Sequence, residues 1–158
     1  MKRFILLLIS IMISGVILAQ VKPYDETIDA VNQIQQAIKK AANENKYVLC
    51  QVGGNWCPWC LKFAEMAITN RDVKQVIDSN YVYIHVNWSK NNKNPKAMAL
   101  LENPTRFGFP VFVILDSNGK RIHTQSSAYL EDGNGYSEKK VVEFLKNWTP
   151  KAVNTIIR

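Results

Sequence analysis

Tyr47-Val48-Leu49-Cys50-Gln51-Val52 is followed by Gly53-Gly54-Asn55, by Trp56-Cys57-Pro58-Trp59-Cys60, and by Leu61-Lys62-Phe63-Ala64-Glu65-Met66. The first six residues form a continuous apolar run rich in β-branched and aromatic types, the pattern of a buried central strand. The last six begin a helical pattern. Cys57 suits the N-cap of that helix, and Pro58 suits its first position, where a missing N–H costs nothing. A sulfur so placed faces the unpaired N–H groups and the positive dipole end of the helix. That setting favours thiolate over thiol and makes Cys57 a nucleophile near neutral pH. Cys60 lies one turn on, on the same face, where it can attack a mixed disulfide formed at Cys57.

Strand, short turn, W-C-x-x-C and helix together resemble the thioredoxin superfamily. A second stretch carries the same likeness: Arg106-Phe107-Gly108-Phe109-Pro110-Val111-Phe112-Val113-Ile114-Leu115 resembles that family's cis-proline loop and the strand after it. The resemblance covers about residues 24–148 and is strongest to secreted thioredoxin-like domains of bacterial envelopes. It implies an α/β fold with a central mixed β-sheet flanked by helices, catalytic cysteines at Cys57 and Cys60, and a cis bond before Pro110 that sets the Phe109 backbone beside them. An ordinary trans proline opening a strand is the alternative. The family also implies that Trp56 flanks the site, with simple packing as the alternative. Trp59, between the cysteines, is expected to be exposed, contacting a partner polypeptide or shielding the sulfurs. Trp56, Trp59, Phe109 and Pro110 are thus the expected substrate-binding residues.

One position departs from the family. Gln51, six before Cys57, stands where many thioredoxins carry a buried acid that helps move the proton of the second cysteine. Gln51 can hydrogen-bond but cannot titrate. Glu65 and Lys62 on the cysteine helix are the candidates to substitute through water.

The first nineteen residues differ in kind from the rest. Lys2 and Arg3 precede an apolar run from Phe4 to Leu18 that ends at Ala19. This is the layout of a secretory signal peptide. An uncleaved anchor is the alternative, but the run is short against the roughly 20 residues a span needs. The expected organisation is a leader over 1–19 and one thioredoxin-like domain over 20–158, with no stable membrane association after cleavage and a periplasmic or secreted location. Loss of Lys2 and Arg3 lowers the formal charge from +7 to +5. The remaining positive charge is spread along the chain. A nucleic-acid surface would need a concentrated stripe with interleaved aromatics, so no nucleic-acid partner is expected.

Export places the chain where disulfides persist. Three cysteines, an odd number, do not make a structural framework, and a pair three apart closes too small a loop to stabilise much. Cys50 reads as a buried small hydrophobe. Zinc would need two ligands beyond the cysteine pair. His85 and His123 are the only histidines and neither shows ligand spacing. No metal or organic cofactor is expected; the redox group is the cysteine pair itself. Asn87-Trp88-Ser89 and Asn147-Trp148-Thr149 match the glycosylation acceptor pattern without functional meaning in a bacterial protein.

The remaining elements follow from periodicity. A helix is expected over Asp25–Asn45 with Ile28, Val31, Ile34 and Ala41 inward. The cysteine helix, Pro58 to about Ile68, turns Leu61, Ala64 and Ala67/Ile68 inward. A helix over Asn70–Ser79 and a strand over Tyr81–Val86 follow. Asn87–Pro95 reads as a loop, and Lys96–Glu102 as a short helix. Val111–Leu115 and Lys120–Thr124 form a hairpin with Gly119 supplying positive φ. Glu131–Tyr136 reads as a loop, Ser137–Trp148 as a helix stopped by Thr149-Pro150, and Ala152–Arg158 as a tail with a further helical turn.

The sequence therefore predicts an exported thiol–disulfide oxidoreductase acting on protein thiols and disulfides, recharged by an unidentified redox partner. Two alternatives stand beside it: a partner-binding module whose disulfide is structural, and a metal carrier using Cys57, Cys60 and a histidine.

Overall fold

β1 (Tyr47–Gly53) is buried along its whole length, because helices cover both faces of the sheet it centres. The computed structural model describes residues 22–155. The expected leader over 1–19 and the contribution of Ile156 and Ile157 to a terminal turn lie outside the described residues. Four strands run in the order β2-β1-β3-β4: β2 (Tyr81–Asn87), β1, β3 (Val111–Leu115) and β4 (Arg121–Ser126). β1 and β2 are parallel, while β3 is antiparallel to both β1 and β4. The sheet is mixed, as expected.

Strand alternation sorts the core into two layers. Val48, Cys50 and Val52 of β1 join Val113 and Leu115 of β3 under α1 (Ala30–Glu44) and α4 (Pro95–Leu100), against Ile34, Met98 and Leu101. Leu49 of β1 joins Phe112 and Ile114 of β3 on the other face. There it meets Phe63 of α2 (Pro58–Thr69), Val73 and Ile77 of α3 (Arg71–Asn80), and Val141 and Leu145 of α5 (Glu138–Asn147). Gln51 and Gly53 share that second face, so whatever they carry points toward the cysteine helix.

Several boundaries move for local reasons. α1 begins at Ala30, not Asp25, because Asp29 caps it, accepting from the N–H groups of Val31 and Asn32 at 2.9 and 3.2 Å. Such a cap contributes about 1 kcal/mol. Asp25 instead closes a turn onto Thr27, and Ile28, expected inward, is exposed. α2 turns Phe63 inward with Ala64 and Ala67; Leu61 is half-buried and Ile68, expected inward, is 63% exposed. α3 starts after an Asn70 cap. Asn87 closes β2 instead of opening the loop, and its buried side chain leaves no accessible glycosylation acceptor there. α4 begins at Pro95.

The stretch expected to be a loop, Glu131–Tyr136, is a small hairpin of β5 (Glu131–Asp132) and β6 (Gly135–Tyr136), turned by Gly133 at φ +55°. Ser137 caps α5 through the Lys140 N–H. Thr149-Pro150 does end α5, and also opens a single turn, α6 (Pro150–Asn154), with Thr149 as its cap. No helix among the described residues is long and apolar enough to cross a membrane.

Candidate active site

The cysteines stand at the C-terminal end of β1, where the chain passes through Gly53-Gly54-Asn55-Trp56 into α2. Cys57 is the N-cap of α2 and Pro58 its first residue. The Cys57 Sγ accepts from the Cys60 N–H at 3.2 Å. The sulfur therefore occupies the anion-favouring end of the helix, the place its sequence reading assigned. Cys57 and Cys60 are joined as a disulfide with Cα atoms 5.2 Å apart. Cys60 is fully buried and Cys57 nearly so. Cys50 is a free, buried thiol in the opposite layer, and burial pushes its pKa up; it takes no part here.

Two glycines permit the approach. A Cβ on Gly53 would run into the Cys60 Sγ and stand 3.0 Å from the Tyr24 hydroxyl oxygen. A Cβ on Gly54 would run into the Trp56 indole and stand 2.9 Å from the Trp88 carbonyl oxygen.

Pro110 is preceded by a cis peptide bond. Gly108, at φ +85°, turns the chain into it. Phe109 packs on the cluster formed by Tyr24, Cys57 and Cys60. Trp56 is half-exposed, and its indole N–H donates to the Trp88 carbonyl at 2.8 Å. Its ring meets those of Trp88 and Phe109 edge-on, at 5.9 and 5.3 Å. Phe109, which packs on the cysteine cluster, thus joins Trp56 and Trp88 in one aromatic group beside it. Trp59, expected to be exposed, is half-buried: its ring meets that of Tyr136 edge-on at 5.3 Å and carries the Lys62 ammonium over its face. Tyr136 also donates to the Trp59 carbonyl at 3.1 Å.

The position of the missing acid is occupied by a satisfied network. Gln51 is wholly buried. Its amide donates to the Tyr24 hydroxyl at 2.6 Å and to the Cys60 carbonyl at 2.9 Å, and its carbonyl accepts from the Tyr83 hydroxyl. Both amide hydrogens are used, which fixes the side chain's orientation. Glu65 and Lys62 do not reach this cluster. Glu65 is exposed on the outer face of α2, and Lys62 turns away to the Asn134 carbonyl.

Tyr24 lies just before the expected Asp25–Asn45 helix, and nothing in the sequence marks it as a site residue. It is 2% exposed and packs on both cysteines. Its backbone is held by Asn55, which accepts from the Tyr24 N–H at 3.2 Å and donates to the Tyr24 carbonyl at 2.7 Å. His85, which the sequence offers only as a histidine without ligand spacing, lies beside this network. It pairs with Gln51 across β1 and β2, and its ring lies against those of Tyr24 and Tyr83, at 5.1 and 4.6 Å. Burial lowers its pKa to about 4. Among the described residues no group of three or more His, Cys, Asp or Glu side chains could hold a metal ion.

Residues 29–117 match the sequence model of the thioredoxin-like family, and the chain belongs to that family. Among curated proteins it is 24% identical over 98 residues to the thiol:disulfide interchange protein DsbD of Colwellia psychrerythraea, a match covering 62% of this chain and 16% of that protein. It is also 24% identical over 115 residues to the disulfide bond reductase DsbH of Chlamydia pneumoniae, covering 69% of each. The chain therefore spans only a small part of the first relative's length and about two thirds of the second's. Its fold is similar to that of a disulphide isomerase from Xylella fastidiosa, with a TM-score of 0.70 at 23% identity over 79% of this chain and 95% of that one. Thiol–disulfide chemistry is what these relatives' names share and what a Cys57–Cys60 pair at a helix N-terminus performs.

Proposed function

We propose that the protein is an exported thiol–disulfide oxidoreductase that exchanges disulfides with protein substrates in the cell envelope. The observation that carries this reading is the Cys57 sulfur at the N-cap of α2, disulfide-bonded to a buried Cys60 and flanked by the cis bond before Pro110. The names of the relatives support it, as does the leader-like sequence of residues 1–19.

In the reducing direction the Cys57 thiolate attacks a substrate disulfide. One substrate sulfur leaves and a Cys57 mixed disulfide forms. Cys60 then attacks the Cys57 sulfur, releasing the second substrate thiol and regenerating the Cys57–Cys60 disulfide. The oxidising direction runs the same steps backwards. Cys57 is the attacking residue and Cys60 the resolving one. The Phe109 backbone before Pro110 offers main-chain groups to an extended substrate segment, in the manner of strand addition. Trp56 supplies an apolar wall beside it, and Trp59 braces the helix turn between the sulfurs. A redox partner recharges the pair, and the pair is the only redox group this mechanism uses.

The test is paired substitution in the purified protein. Cys57→Ser abolishes reduction of a model protein disulfide. Cys60→Ser leaves the first attack intact and accumulates covalent adducts that dithiothreitol releases. If both variants keep a partner bound without adducts and lose only stability, the pair is structural and the domain is a binding module.

A further inference from the structure

The Cys57 sulfur accepts from the Cys60 N–H at 3.2 Å. That N–H belongs to the peptide joining Trp59 to Cys60. The carbonyl of the same peptide, on Trp59, accepts from the Tyr136 hydroxyl at 3.1 Å. Hydroxyl, peptide and sulfur therefore form one chain of hydrogen bonds, with every donor pointing toward Cys57. A carbonyl oxygen has two lone pairs, so it can take the Tyr136 hydrogen alongside the helix's own bond. Bonds aligned in this way polarise one another. A hydrogen donated to the peptide oxygen draws density from the nitrogen and makes the N–H a better donor to the sulfur.

Tyr136 is brought to this peptide by the β5–β6 hairpin. Its ring meets those of Trp59 and Phe63 edge-on, each at 5.3 Å. Lys62 of α2 holds the hairpin turn by donating to the Asn134 carbonyl. Burial pushes the Tyr136 pKa up, so the hydroxyl keeps its hydrogen over the working range of a thiol. A phenylalanine at 136 would make the same ring contacts; the hydroxyl adds the bond to the peptide.

We propose that Tyr136 tunes Cys57 through the Trp59–Cys60 peptide: its hydroxyl strengthens the N–H bond that stabilises the Cys57 thiolate, and so sets how readily the attacking sulfur ionises. The proposal rests on the oxidoreductase reading above and assigns a residue outside the cysteine motif that adjusts its nucleophile. Tyr136 touches no reacting atom. It is a positioning residue, and the exchange steps are those given above. In the disulfide the same sulfur carries no charge, so the bond stabilises the reduced protein more. Tyr136 therefore shifts the pair toward the dithiol.

The titratable groups around this chain come from several elements. Tyr24 and Cys60 pack on Cys57. His85 and Tyr83 stand behind Tyr24. Lys62 lies over the Trp59 ring, and Glu131 of β5 faces Tyr136. Replacing the Tyr136 hydroxyl alters none of them.

The experiment is the pH profile of iodoacetamide alkylation of the reduced protein, read at Cys57 by peptide mass spectrometry so that Cys50 and Cys60 do not enter. The midpoint reports ionisation of Cys57, and the plateau reports the reactivity of its thiolate. Alignment strengthens each bond by about 10–30%, and a bond to a charged acceptor is a strong one, so loss of the hydroxyl is expected to lower the ionisation constant about twofold, a midpoint about 0.3 higher in pH. Tyr136→Phe is expected to show that rise with a plateau no lower than wild type, because a less stabilised thiolate is the better nucleophile. Its glutathione equilibrium, measured above the midpoint, is expected to move about twofold toward the disulfide. A 3-fluorotyrosine at position 136, a more acidic phenol and a stronger donor, is expected to move both readings the other way. A midpoint that stays or falls in Tyr136→Phe overturns the proposal, whatever the plateau does. Should Tyr136→Phe fail to fold, the fluorotyrosine protein decides alone, and a midpoint that stays or rises there overturns it. A wild-type Cys57 with no thiolate-dependent alkylation overturns the oxidoreductase reading instead.

Discussion

Tyr24 and Cys60 are tied to the two hydrogens of one amide: Gln51 donates to the Tyr24 hydroxyl at 2.6 Å and to the Cys60 carbonyl at 2.9 Å. An amide can make both bonds and also accept from Tyr83; a carboxylate in the same place could donate neither. Gln51 therefore fixes the amino-terminal segment to the first turn of the cysteine helix. It does so at the cost of the titrating group that a buried acid would supply.

Replacing Gln51 with Leu, close in volume, leaves the Tyr24 and Tyr83 hydroxyls and the Cys60 carbonyl without this partner. Each buried group left unpaired costs about 1–3 kcal/mol. Some of that is recovered by relaxation, so Gln51→Leu is expected to destabilise by about 3 kcal/mol. Urea unfolding of the oxidised protein checks it; a loss below about 1 kcal/mol would mean the network is solvated.

Gly53 is the second strict position. A Cβ there meets the Cys60 sulfur and the Tyr24 oxygen at once. Overpacking of this kind costs about 1–3 kcal/mol, so Gly53→Ala is expected to lower stability by about 2 kcal/mol and to loosen Tyr24 from the cysteines. Thermal unfolding reads the first effect. Faster chymotryptic cleavage after Tyr24 reads the second.

His85 makes stability depend on pH in a defined direction. Its folded pKa, about 4, lies below the ordinary 6.5, so between these values the unfolded chain binds the extra proton. Stability contributed by the neutral, buried ring is full above about pH 6.5 and is lost as pH falls toward 4. The difference corresponds to at most about 3 kcal/mol. His123, whose pKa burial also lowers, adds a slope of the same sign, so the comparison is between wild type and His85→Gln. The variant is expected to show the shallower fall between pH 7 and 4.5 in denaturant titrations; parallel curves would contradict the assignment.

The parts of the site legible in the sequence are those whose chemistry is local. Cys57, Pro58 and Cys60 declare a capped helix through adjacent residues, and the cis bond at Pro110 follows from a family pattern beside it. Cys50 follows from strand alternation. Tyr24 was illegible because its burial comes from Asn55 and Gln51, distant partners that no local pattern names. His85 could be placed on β2, but its alignment with Gln51 depends on the parallel register, which periodicity does not fix. The β5–β6 hairpin is a different case. Asp132-Gly133-Asn134-Gly135 carries a hairpin turn signature, and its strands are too short for alternation to show. Trp59 was misjudged because the ring that covers it, Tyr136, arrives with that hairpin.

The most direct measurement is the equilibrium reduction potential of the Cys57–Cys60 pair, titrated against glutathione. The account predicts a reversible two-electron transition, absent in Cys57→Ser, with a midpoint between about −270 and about −120 mV. A value near the thioredoxin figure of about −270 mV makes the protein a source of electrons, and one between about −180 and −120 mV makes it an oxidant or isomerase. A pair that forms no reversible disulfide against glutathione would contradict the account.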